Sequence, residues 1–170
     1  FLKTLEVTKC VSPEQGWTPF HAVVSEGEMI VAIMPLYIKT DSQGEFIFDW
    51  SWADAFYRNG LEYYPKLVSS IPFTPASGPR ILFTDQSKSL IIIKEVSSAL
   101  KRISQEQSFS GVHILLAEKD EINKFSREDF SLRTSYSFHW FNNNYESFDS
   151  FLKDMTSVSY THLRAHETRG

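Results

Sequence analysis

The chain has 170 residues, 42% of them hydrophobic, with a net charge of −4 and one cysteine, Cys10. That size suits one compact domain that buries about 70% of its unfolded surface. The acidic balance excludes non-specific nucleic-acid binding, one cysteine excludes an intrachain disulfide, and no apolar run reaches the ~18 to 20 residues of a bilayer span, so a soluble, cytoplasmic protein is expected.

In chain order, FLKTLEVTKC carries Phe1, Leu2 and Leu5 on one helix face, as if the helix were already under way, so its first turns are expected to be missing. Cys10 reads as a buried or inert thiol. Residues 20–25 (FHAVVS) and 28–40 (EMIVAIMPLYIKT) form a predicted antiparallel hairpin about Glu26-Gly27, with Pro35 breaking the pairing of the second strand. DSQG (41–44) reads as a turn, EFIFDW (45–50) as a short strand, and SWADAFYRNG (51–60) as a short helix closed by Gly60. RILFT (80–84) is a predicted strand that feeds a helix over 87–107, where Leu90, Ile93, Val96, Leu100 and Ile103 recur at helical spacing. GVHILLAE (111–118) is a continuous apolar strand and DEINKFSRED (120–129) a short helix. FSLRTSYSFHWFNNNY (130–145) reads as two strands or one bent one, and SFDSFLKDM as a helix capped by Ser147 with Phe148, Phe151, Leu152 and Met155 on one side. The order is that of an α/β fold on a mixed sheet with a right-handed crossover.

Chemistry concentrates in the middle. Asp49, Trp50, Trp52, Asp54, Tyr57, Tyr63, Tyr64, Lys66, Phe73, Thr74 and Arg80 crowd a short stretch that is either a pocket wall or an aromatic core under a loop. Asp49 and Asp54 can act as an acid/base pair or as helix caps. Arg80 can hold a carboxylate or phosphate in its planar fork, or lie on the surface. The proline-dense IPFTPASGPR (71–80) reads as a rigid cleft wall, with Gly78 permitting a turn that a side chain would block. His139, beside Trp140, is a candidate base, whereas His113 reads as structural. His162 and His166 stand i, i+4, but no third ligand accompanies them and no metal is expected. G-x-S-x-G, Walker and dinucleotide loops are absent from the sequence.

The string FDWSWADAFYRNGLEYYPKLVSSIPFTPASGPR (48–80), flanked by GWTPFHAVV, MPLYIKTDSQGEF and FHWFNNNYESFDSFL, resembles the FemAB-like family of bacterial peptidoglycan biosynthesis/recognition proteins. That resemblance implies a GNAT-like domain, a mixed splayed sheet flanked by helices, as the N-terminal half of an N-acyltransferase. Such an enzyme transfers an acyl or aminoacyl group, from acyl-CoA or aminoacyl-tRNA, to an amine such as a cell-wall precursor. The matching positions are Asp49, Trp50, Trp52, Asp54, Tyr64, Pro65, Lys66, Pro72, Phe73, Thr74, Pro75, Gly78 and Arg80, with His139 and Trp140 in the later motif. On this reading Asp54 or His139 is the base, Arg80 or Lys66 holds an anionic group, and Trp50, Trp52 and Phe73 form the apolar wall. The glycine turn on which GNAT enzymes hold the coenzyme A pyrophosphate is missing from RILFTDQSKS, before the long helix. From about residue 157, SVSYTHLRAHETRG departs from the family's continuation into a second half, so residues 1–156 are expected to be native and 157–170 not. The alternatives are a ligand-recognition module without catalysis on the same scaffold, and a fragment inactive without its missing half.

Overall fold

The structure, a computed structural model, describes residues 1–136, 138–157 and 161. It comprises two compact units, Phe1–Thr134 and Ser135–Gly170. Among the described residues no helix is long and apolar enough to cross a membrane.

The first unit opens with α1 (Leu2–Val7) and a 3₁₀ turn into β1 (Trp17–Pro19). β2 (Ala22–Glu26) and β3 (Met29–Met34) form the expected hairpin, and Gly27 takes the left-handed φ of 61° at its turn. β3 ends before Pro35, as expected, and there the chain changes sheets. β3 lies between β2 and β6 (Leu82–Phe83), whereas the next strand, β4 (Tyr37–Lys39), lies between β1 and β5 (Lys66–Ser69). The Pro35 carbonyl accepts a hydrogen bond from the Ser69 hydroxyl at 2.8 Å, which ties the switch point to β5.

The larger sheet has the order β1-β4-β5-β7, where β7 (Val112–Ile114) runs parallel to β5 and the other pairs are antiparallel. The crossover from β5 to β7 carries β6 and the long helix α3 (Ser89–Glu106), so the unit is a mixed α/β fold. Strand alternation gives this sheet two unlike faces. Ile38, Leu67, Val112 and Ile114 cluster with Ile92, Ile93, Val96 and Leu100 of α3, each fully buried aliphatic side chain contributing about 1.5–3 kcal/mol. On the other face Trp17, Lys39 and Lys66 stand in register across β1, β4 and β5, beside a second row of Tyr37, Val68 and His113.

Several expectations are corrected. EFIFDW is not a strand: Glu45 and Asp49 both turn onto one ammonium, although four residues of strand would hold them about 13 Å apart. Leu90 is 50% exposed, because it lies off the buried stripe of α3, which runs through Ser89, Ile92, Ile93, Val96 and Leu100. Cys10 is exposed, not buried. Gly78 has neither a positive φ nor a crowded Cβ position, so its turn does not demand glycine. Among the described residues 130–145 there is no strand, and Leu132, Tyr136, Phe138 and Phe141 are exposed. β5, the strand at the centre of the larger sheet, was not anticipated at all.

Helix α4 (Lys119–Ser126) packs on α3, and its buried Glu121 accepts the backbone N–H groups of Arg80 and Ile81 at 2.8 and 2.9 Å. In the second unit, α5 (Phe148–Lys153) begins as expected at Ser147, whose hydroxyl accepts from the Ser150 N–H. Apart from residues 157 and 161, the tail lies outside the described residues, and so do His162 and His166.

Candidate functional site

Lys39 and Lys66 lie directly opposite one another on β4 and β5, both with fully buried side chains. Two ammonium groups so placed repel, and the segment that follows β4 supplies the compensating carboxylates at four-residue intervals: Asp41, Glu45 and Asp49. Lys39 Nζ donates to Asp41 Oδ1 and to the Gln43 carbonyl, each at 3.2 Å, and sits 4.0 Å from the centre of the Trp17 ring. Lys66 Nζ donates to Glu45 Oε2 at 2.9 Å and to Asp49 Oδ2. Asp49 also accepts the hydroxyls of Tyr63 at 2.8 Å and Tyr64 at 3.0 Å.

The surroundings divide the two carboxyl groups. Burial pushes Glu45 up to about 7 against the pull of Lys66, and its Oε1 has no hydrogen-bond partner among the described residues. Burial acts on Asp49 in the same direction, but the bonds from Lys66, Tyr63 and Tyr64 outweigh it and hold this carboxyl below its ordinary range. Burial and Asp49 raise the phenols of Tyr63 and Tyr64, which stay protonated as donors. His113, edge-on to Tyr63 at 6.0 Å, is lowered to about 4 by burial and by the charge of Lys66, consistent with a neutral structural role.

Partly exposed aromatic rings accompany this buried cluster along the same segments. Gly44 has φ 77°, and a Cβ there would lie 2.6 Å from the Phe73 ring, so glycine lets Phe73 close over the loop and tilt against Trp17 at 5.8 Å. The Phe73 N–H donates to the Gly44 carbonyl at 3.0 Å. Beyond it, Phe48 stacks on Trp50, the first residue of α2 (Trp50–Arg58), at 4.6 Å and 24°. Arg133 donates to the Phe48 carbonyl at 3.1 Å and places its guanidinium 5.6 Å from the Trp52 ring. Trp50 and Trp52 remain 64% and 53% exposed.

The predicted site residues therefore fall into distinct groups. Asp49, Tyr64 and Lys66 converge, with Lys66 and Asp49 directed inward. Trp50 stacks on Phe48, Trp52 lies under the Arg133 guanidinium, and Phe73 packs on Trp17; all three are exposed. Asp49 precedes α2 but makes no side-chain cap, and Asp54 lies on the exposed side of α2, paired with Arg58 at 2.6 Å, so the two aspartates occupy unlike environments. Thr74 turns back on its own loop, donating to the Pro72 carbonyl at 3.1 Å. Arg80 is neither on the surface nor turned toward solvent. It is 2% exposed, and its guanidinium donates to the carbonyls of Leu115, Leu116, Ala76 and Pro79 at 2.7 to 3.3 Å. Arg80 thus braces IPFTPASGPR from within, while Phe73, Pro75, Ala76, Ser77 and Pro79 are exposed.

His139 and Trp140 belong to the second unit, where both are exposed and Trp140 meets Phe151 edge-on at 5.8 Å beside a cleft of about 540 Å³. Sequence reasoning missed Glu45, Lys39 and Asp41. The available signal was a lysine at the end of one apolar run and another at the start of the next, together with carboxylates spaced by four. Among the described residues no group of three or more His, Cys, Asp or Glu side chains is placed to hold a metal ion.

Residues 1–169 match the FemAB-like family, described as peptidoglycan biosynthesis/recognition, and the chain belongs to that family. No curated protein and no solved structure matches it.

Proposed function

We propose that the chain is the N-terminal, GNAT-like half of an N-acyltransferase that transfers an acyl or aminoacyl group to an amine of a peptidoglycan precursor, and that residues 44–73 form a wall of its acceptor site. The observation that carries this reading is the exposed Phe48–Trp50 stack on either side of Asp49, whose carboxylate is locked in a wholly buried ionic cluster, in a chain of the peptidoglycan family. Apolar walls backed by a few fixed polar groups are the usual form of a small-molecule site.

A second feature agrees with acyl transfer. β5 and β7 pair only from Leu67 and Val112 to Ser69 and Ile114; beyond them the extension of β7 turns to Gly78, which donates to the Leu116 carbonyl at 3.1 Å. β5 and β7 thus part at a point where Ser70 is buried and its hydroxyl has no partner among the described residues. Acyl transfer requires donors for the developing oxyanion and a base to take the proton of the attacking amine. Asp54 and His139 are the two groups proposed for that base. The donor is acyl-CoA or aminoacyl-tRNA.

The test is to supply the full-length enzyme with a peptidoglycan-precursor amine and each donor in turn, and to follow the acylated product by mass spectrometry. Alanine at Asp54 and at His139, made separately, identifies the base by its loss of kcat. Binding of the precursor without product from any donor would favour the recognition module.

A further inference from the structure

We propose that Lys66 and Asp49 join in an intramolecular amide bond, with Glu45 relaying the proton, so that the chain itself makes a covalent tie between β5 and the residue that opens α2. This modification goes beyond the acyl-transfer reading, and the bond forms whether or not the chain acts on an outside amine.

Three observations support it. The first is contact. Lys66 Nζ touches Asp49 Oδ2 and lies 2.9 Å from Glu45 Oε2. The nitrogen is thus one covalent bond removed from the carboxyl carbon of Asp49, and groups held in that position react without the entropic cost of a collision. The second is dryness. The side chains of Lys66, Glu45 and Asp49 are 1% exposed or less, and the rings of Tyr63 and Tyr64 each stand 5.6 Å from the nitrogen. A site that excludes water favours condensation over hydrolysis. The bond also removes two buried charges and their desolvation penalty, one of them an ammonium directly opposite Lys39.

The third is the set of groups around the carboxyl carbon. The Tyr64 hydroxyl donates to Asp49 Oδ1 at 3.0 Å and the Tyr63 hydroxyl to Oδ2 at 2.8 Å. Glu45 Oε1 has no partner among the described residues, and burial brings this carboxyl up to about 7, where it both takes and gives a proton near neutrality. Asp49, which holds both hydroxyl donors, is therefore the acyl side of the bond and Glu45 the relay.

The step balances without another reactant. A proton moves from Nζ to Oδ2 along their hydrogen bond, which turns the ion pair into a neutral amine and a neutral acid. The Nζ lone pair attacks Cγ, and the carbonyl pair moves onto Oδ1, where the Tyr64 hydroxyl stabilises it. Nζ gives a proton to Glu45, which passes it to Oδ2. The carbonyl re-forms, the Cγ–Oδ2 bond breaks, and Oδ2 leaves as water. Glu45 ends with its carboxyl unchanged.

The experiment is mass spectrometry of the full chain, denatured before measurement. Wild type is expected to weigh one water less than its sequence, with fragmentation placing the amide between Asp49 and Lys66. Lys66→Arg and Asp49→Ala are expected to show the full sequence mass, and so is Glu45→Gln, with its fold checked by circular dichroism. Lys88→Arg, which changes an exposed ion pair, is expected to lose one water as wild type does. The wild-type measurement decides the proposal even if a variant of the cluster fails to fold. The full sequence mass in folded wild type, a water loss that persists in Lys66→Arg or in Glu45→Gln, or an amide at Glu45 in place of Asp49 would overturn it.

Discussion

Lys66 Nζ lies 2.9 Å from Glu45 Oε2, and both side chains are wholly shielded from solvent. With Asp49 on its other side, the ammonium is the only cation in contact with two buried carboxyl groups among the described residues. Lys66→Met leaves those carboxyl groups without their partner, and the expected cost is about 3–5 kcal/mol, read from the urea midpoint. Adding Glu45→Gln and Asp49→Asn to the same chain is expected to recover part of the loss. An unchanged midpoint in the single variant would mean that the cluster contributes nothing to holding the loop.

Glu45 and His113 give stability two opposing dependences on pH. Glu45 is raised from 4.5 to about 7 by burial, so between those values the folded chain binds more protons than the unfolded one and stability falls as pH rises. His113 is lowered from 6.5 to about 4 by burial, so over that interval the unfolded chain binds more protons and stability rises with pH. The two largely offset each other up to pH 6.5, and the decline toward pH 7 belongs to Glu45. Glu45→Gln is expected to abolish that decline and leave a rise from pH 4 to 6.5, whereas His113→Gln is expected to expose a continuous fall from pH 4.5 to 7. Thermal melts across this range measure both.

Phe73 and Gly44 are coupled by space. A Cβ at Gly44 would lie 2.6 Å from the Phe73 ring and would require an alanine at φ 77°. Gly44→Ala is therefore expected to displace Phe73 from Trp17, to cost about 1–3 kcal/mol and to shift the emission of the buried indole. Gly60→Ala, where nothing lies within 4 Å of the new Cβ, isolates the backbone part of that cost.

Arg80 braces the proline-rich segment 71–80 through backbone carbonyls, and a lysine can reach only part of that set. Arg80→Lys is expected to lower stability by about 2–3 kcal/mol. Asp54→Ala, which removes one exposed i, i+4 pair, is expected to stay within about 0.5 kcal/mol. Urea denaturation of the two variants side by side makes the comparison.

The readable parts of the sequence were those governed by local physics. The hairpin about Gly27, the break at Pro35, the short helix ending before Gly60 and the Ser147 cap each follow from one or two residues that force or forbid a backbone conformation. The helix α3 followed from its apolar period, except at Leu90, because the buried stripe enters the first turn through Ser89, a polar residue that an apolar pattern passes over. β5 was hidden because its four buried residues are KLVS, and a strand that buries a lysine and a serine does not read as apolar. The carboxylates that make that lysine tolerable come from a loop 17 to 21 residues away in sequence, a partnership no local pattern displays. For the same reason EFIFDW read as a strand: its alternation is real, but pairing with Lys66 bends it out of extended form.

The proposed transfer is tested by acylation of a peptidoglycan-precursor amine with the full-length protein, compared between wild type and Trp50→Ala. If the proposed function holds, acylated product forms with acyl-CoA or aminoacyl-tRNA, and the variant shows a raised KM for the amine with kcat little changed, as expected of a residue that binds the acceptor away from the reacting atoms. No acylated product from the wild-type protein with either donor would contradict the proposed transfer.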